Sequence, residues 1–139
     1  MKVKIIMVLL LSGLFLSSCQ MEKKTPAVKR FASVTGLKAD KLTDYKALHA
    51  HAWPEVLKKI KDCHIENYSI YLHKINNKYY LFSYFEYTGS DFDGDMKKMA
   101  DDPNTQRWWK ETDPCQQPLP EAAAKQEIWS PMEEVFHTN

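Results

Sequence analysis

Two aromatic and β-branched runs, Ile65 to Lys74 and Tyr79 to Thr88, lie on either side of Asn76-Asn77. Runs of this composition around an asparagine pair read as an antiparallel hairpin. Alternation puts Tyr68, Ile70 and Leu72 on one face of the first strand and Asn67, Ser69, Tyr71 and His73 on the other. In the second strand Leu81, Phe85 and Tyr87 alternate against Phe82 and Tyr84. Both faces are bulky. A sheet of this kind covers one face with helices and offers the other to a partner or ligand.

The rest of the chain must supply that cover. Arg30 to Gly36 reads as a strand. A helical pattern follows from Asp40 to Asp62. At the helical step, Leu42, Tyr45, His49, Trp53, Val56, Leu57 and Ile60 fall within a sector about 120° wide, with His51 and Lys58 opposite. His49 is central in the buried stripe. Pro54 lacks an N–H and crowds the Ala50 carbonyl, which predicts a kink or a second helix starting at Pro54. Downstream, Ser90 to Ala100 and Asn104 to Glu111 read as short helices, and Asp113 to Pro120 as a proline-bearing loop. Ile128-Trp129 and Val135-Phe136 flank Pro131 and suggest a broken final strand or two short ones. The order β-α-β-β-α-β is the ferredoxin-like arrangement, α+β with helices on one face of an antiparallel sheet. Its free face is a natural dimerisation surface.

The first residues have a different character. A basic start, Met-Lys-Val-Lys, leads into an apolar run from Ile5 to Leu16, about 12 residues and too short to span a bilayer as a mature helix. The run closes in Leu16-Ser17-Ser18-Cys19, which resembles the bacterial lipobox, where cleavage precedes a lipid-bearing cysteine. The competing readings are an ordinary secretory signal with an incidental cysteine and an uncleaved anchor. The expectation is a signal peptide over 1–18, lipid on Cys19, a polar tether over 19–29 and a domain over 30–139, facing the cell envelope. Gln20 is not the aspartate linked to inner-membrane retention, which favours the outer membrane. Without Lys2 and Lys4 the chain has 17 basic and 18 acidic groups, so charge gives no reason to expect nucleic acid. Cys63 and Cys115 remain as buried thiols or one bridge. No Cys-x-x-Cys is present, so zinc has little support.

Four segments in order then carry a resemblance. Tyr45-Lys46-Ala47-Leu48-His49-Ala50-His51-Ala52-Trp53-Pro54-Glu55, Asn67-Tyr68-Ser69-Ile70-Tyr71-Leu72, Gln106-Arg107-Trp108-Trp109 and Glu133-Glu134-Val135-Phe136 resemble motifs of the L-rhamnose mutarotase family. The resemblance implies a homodimer of ferredoxin-like domains, of the dimeric α/β-barrel type, that interconverts sugar anomers without a cofactor. It implies His49 as the acid/base residue and Tyr45, Tyr68, Trp108 and Trp109 as sugar contacts. His73 stands where members of that family often carry Asp, and the lipidated leader and the long proline-rich loop are further departures. These bear on which sugar is taken more than on the reaction.

The residues suit that chemistry in their own right. Mutarotation takes a proton from the anomeric hydroxyl and gives one to the ring oxygen, a task for a group titrating near working pH. Tyr45 precedes His49 by one helical turn, so the two side chains are neighbours. Indole faces suit the C–H side of a sugar ring and its methyl group. Adjacent tryptophans on a helix diverge by about 100°, so one of Trp108 and Trp109 turns to the core, and the sequence does not rank them. Outside the motif His49, Tyr45 and Tyr68 would read as core; Trp53 does so even within it, and Arg107 reads as structural. Two other readings stand beside the enzyme: a sugar-binding lipoprotein without catalysis, and a ferredoxin-like oxygenase, since fold alone does not give function.

Overall fold

The computed structural model describes residues 27–138. The expected signal peptide, Cys19 and most of the 19–29 tether therefore lie outside the described residues. Asn76 and Asn77 both adopt left-handed backbone, φ 48° and 64°. This closes a two-residue turn whose twist matches the strands it joins. The strands are β2 (Ile65–Ile75) and β3 (Lys78–Tyr87), with Ile75 opposite Lys78. The hairpin is thus the one expected.

The first strand, β1 (Lys29–Leu37), pairs antiparallel with the other edge of β3, from Lys29 opposite Tyr87 to Leu37 opposite Tyr79. On its far edge β1 receives two short strands, both antiparallel. The later of these, β5 (Ser130–Met132), lies against Ala32–Val34, and the earlier, β4 (Gln116–Gln117), against Gly36–Leu37. The sheet order is β2-β3-β1-β4 with β5 beside β1. The closing strand is therefore split, and Pro131 sits within β5 rather than between two strands. A proline is tolerated there because an edge strand can spare one N–H. Val135 and Phe136 belong to no strand and are exposed.

Helices fill the two crossovers: α1 (Leu42–Ala50) and α2 (Pro54–Asp62) before the hairpin, α3 (Phe92–Ala100) and α4 (Pro103–Thr112) after it. Pro54 opens α2 at its first turn, where its missing N–H costs nothing. Trp53 precedes it with extended backbone, so the helical phase does not continue across the break. That accounts for Leu57, placed in the buried stripe by unbroken periodicity but 48 % exposed. Asp91 and Asp102 cap α3 and α4, accepting hydrogen bonds from the backbone N–H of Gly94 (3.1 Å) and Thr105 (2.9 Å).

The helices cover one face of the sheet. Leu37, Tyr45, Leu81 and Cys115 form the buried cluster, with Leu42, Leu48, Ile70 and Trp129 packed on it, and Phe92 of α3 stacks on Phe31. The result is an α+β domain with an antiparallel sheet and helices on one face. Cys63 and Cys115 are buried free thiols, with no bridge between them.

One irregularity matters for the site. Glu66 lies opposite Glu86 and Ser69 opposite Tyr84, so Asn67 and Tyr68 together face the single residue Phe85. Such a bulge re-aims a side chain. Asn67 turns through φ 49°, its amide donating to Glu86 Oε2 at 2.6 Å. The parity change lets Ile65 and Ile70, five residues apart, both face the helices, and tips Tyr68 edge-on to Phe85.

Candidate functional site

The end of α1, the bulge in β2, α4 and the turn after it enclose a cleft of about 660 Å³. Tyr45, His49, Tyr68, Trp108 and Trp109 all line it. A more apolar lobe of about 520 Å³ adjoins it and shares Tyr45, His49, Tyr68, Ile70 and Trp108. Volumes of this size are ordinary for small-molecule sites. The five residues expected to act together are thus brought together, from three separate elements.

Tyr45 is 4 % exposed, and its ring lies 4.1 Å from the His49 ring, one turn on. His49 Nδ1 is 2.9 Å from the Tyr45 carbonyl oxygen. A carbonyl only accepts, so Nδ1 carries the hydrogen and the neutral ring keeps its lone pair on Nε2. Burial lowers the His49 pKa from its ordinary value, partly opposed by that hydrogen bond. The imidazole is therefore held neutral, oriented and partly dry.

The aromatic wall is built in layers. Trp108 meets His49 edge-on at 5.3 Å and Trp53 at 5.4 Å. The Arg107 guanidinium covers the Trp53 ring at 5.1 Å and hydrogen-bonds Asn104, so Trp53 and Arg107 support the wall from behind. Trp108 is 7 % exposed and Trp109 37 %, which separates the pair: both reach the cleft, Trp108 from the core and Trp109 from the rim. Tyr68 is 44 % exposed, yet its hydroxyl end is desolvated and burial raises its pKa. Burial also raises the Tyr45 pKa, with Tyr68 and other groups adding to it. Both phenols stay protonated and able to donate.

Sequence reading missed the polar side of the cleft. Asp113, Gln116, Ser33 and Ser83 line it too. The segment read as a proline loop folds instead into a 3-10 turn, Asp113–Cys115, and then β4. Asp113 is half-buried, with no hydrogen bond or ion pair to its carboxyl, and burial raises its pKa. An acid directly after an aromatic helix was the available signal for Asp113; nothing local marked Gln116. His73, His51 and His64 stand apart from the cleft. Among the described residues no three His, Cys, Asp or Glu side chains gather as metal ligands, and no helix is long and apolar enough to cross a membrane.

A dry, oriented imidazole beside aromatic walls and unfilled hydrogen-bonding groups defines a class: a protein that holds a small polyhydroxylated ring and moves protons on it. Comparison with known proteins narrows this. The family model described as L-rhamnose mutarotase matches residues 30–138, and the chain belongs to that family. It is 36 % identical over 87 residues to the L-rhamnose mutarotase of Bacillus subtilis, covering 63 % of this chain and 79 % of that protein. It is 31 % identical over 110 residues to that of Phocaeicola vulgatus, covering 79 % and 98 %. The crystal structure of an L-rhamnose mutarotase from Formosa agariphila superposes with a TM-score of 0.59 at 25 % identity, covering 80 % of this chain and 99 % of that one.

Proposed function

We propose that this chain interconverts the α and β anomers of L-rhamnose or a similar 6-deoxy sugar by acid/base ring opening. The observation that carries the reading is His49, fixed through Nδ1 on the Tyr45 carbonyl with Nε2 free in an aromatic cleft. Opening the hemiacetal moves two protons. One leaves O1 as its electron pair forms the C1=O1 bond, and one reaches O5 as the C1–O5 bond breaks. Rotation about C1–C2 exposes the other carbonyl face to O5, and closure reverses both transfers. His49 exchanges one proton. Asp113, in its protonated form, gives the other to O5 and takes it back on closure, while Tyr45 and Tyr68 hold the reacting oxygens by hydrogen bonds. Burial lowers His49 and raises Asp113, so their proton affinities approach one another. Those directions favour an unprotonated Nε2 at O1 and a protonated carboxyl at O5 before ring opening. Positioned acid/base catalysis contributes about 10²–10⁴-fold, enough for a reaction that water already performs.

Saturation-exchange NMR on L-rhamnose tests the reading, with the purified chain expected to raise the exchange rate between anomers. Unchanged exchange across a panel of 6-deoxy sugars would sink it. Sugar binding without acceleration would favour a binding protein instead.

The proposal extends to a ferredoxin-like homodimer. Tyr71, Ile75 and Met132 are exposed on the helix-free face, which suits a second copy of the chain. Sedimentation velocity distinguishes dimer from monomer. It extends also to processing before Cys19, lipid on that residue and an envelope location, with the outer membrane favoured. Mass spectrometry of the N-terminal peptide reads the lipid directly.

A further inference from the structure

The two-residue strand β4 sets one buried amide into the cleft. A Cβ on Gly36 would lie 2.5 Å from the Gln117 carbonyl oxygen, so only glycine lets β4 approach β1 this closely. The approach fixes Gln116, which is 5 % exposed and lines the cleft beside Tyr45, His49 and Trp108. Its amide stands beside the Tyr45 hydroxyl and acts against the upward push of burial on that phenol's pKa. Its Oε1 is buried without a hydrogen-bond partner. Such atoms are rare in folded proteins and call for an explanation. Turning the amide over does not remove the problem, since Tyr45 engages one end and the other is left unpaired. Ser33 and Ser83, on the same cleft, hydrogen-bond each other at 2.6 Å and have less need of a partner.

We propose that Gln116 contacts the substrate and sets its specificity: on binding, the amide turns so that Oε1, closed to solvent in the free chain, accepts a hydrogen bond from one ring hydroxyl of a pyranose. The inference rests on the mutarotase reading and adds to it a residue and a selection rule. A buried acceptor that only a hydroxyl satisfies discriminates against a sugar lacking that hydroxyl.

The test compares wild type with Gln116→Met, similar in length but without the acceptor, on L-rhamnose and its 2-, 3- and 4-deoxy analogues. Wild type should disfavour one analogue. Gln116→Met should lose about tenfold or more in kcat/KM on L-rhamnose and lose that discrimination. Full activity on L-rhamnose, or an equal loss on all four sugars, overturns the proposal. A misfolded variant still leaves a reading on wild type. The side-chain amide resonances of Gln116 should shift when L-rhamnose is titrated in. Their constancy while the Trp108 indole resonance moves overturns the proposal too. Absence of exchange by wild type on every sugar would instead strike the mutarotase reading, and the amide resonances would still report whether Gln116 meets a bound sugar.

Discussion

Two histidines in this domain each engage an oxygen through Nδ1, and they sit in opposite kinds of surroundings. His64 Nδ1 lies 2.8 Å from Asp95 Oδ2, which also accepts from the Tyr87 hydroxyl at 2.7 Å, while Lys98 reaches Oδ1 at 2.8 Å. The Lys98, Tyr87 and His64 hydrogen bonds hold the Asp95 carboxyl well below the usual carboxylate range. The cluster is saturated, and tightly packed at Gly89, where a Cβ would fall 2.4 Å from the Tyr87 hydroxyl oxygen. Around His49 the polar groups are unfilled, with Asp113 lacking a partner and Gln116 Oε1 an orphan. Saturated groups tie α3 to the hairpin. Unsaturated ones wait for a ligand, and this difference separates structure from function better than residue type does.

The strongest way to break the contrast is to remove each imidazole in turn. His49→Ala should cut anomer exchange by about 10²–10⁴-fold, measured by saturation-exchange NMR, with little change in Tm. His64→Ala should leave exchange untouched. Equal losses from the two would erase the distinction. Asp113→Asn should follow with a loss of about tenfold or more in kcat and little change in KM, because it removes the group that protonates the ring oxygen and keeps the shape. Asp95→Asn should do the reverse: a Tm lower by several degrees in calorimetry, with full exchange activity at temperatures where the chain stays folded. The mechanism there is a buried network left with an acceptor short of charge for its three donors.

The contrast also marks where the sequence spoke and where it did not. The hairpin was legible because its turn chemistry and its alternation are both local, and Pro54 announced the break before α2 by its own covalent geometry. His49 and its aromatic neighbours were legible as a pattern shared with a family. The bulge at Asn67 and Tyr68 was not, because register is a relation between two strands. Leu57 was misplaced because a helical period was carried through a break that resets it. Gln116 was invisible for a related reason. Its burial depends on a two-residue strand meeting Gly36, 80 positions earlier, and no periodicity records such a meeting.

Acid stability gives the smallest effect and the sharpest separation of the two histidine environments. Burial lowers the His49 pKa in the folded chain, so the unfolded chain, near 6.5, binds the proton first. Stability therefore falls as pH drops below about 6.5 and levels off once the folded imidazole also protonates. The Asp95 carboxyl shifts the other way for an acid. Its contribution is complete above the unfolded value of about 3.9 and fades only as pH falls below that toward the lower folded value. Tm recorded against pH should then show two displaced windows. The difference between wild type and His49→Gln should open as pH falls below about 6.5, and that between wild type and Asp95→Asn should close below about pH 4. A His49→Gln profile parallel to wild type through the upper window would mean that the cleft imidazole is as well solvated folded as unfolded. The dry, neutral base on which the site is built would then be lost.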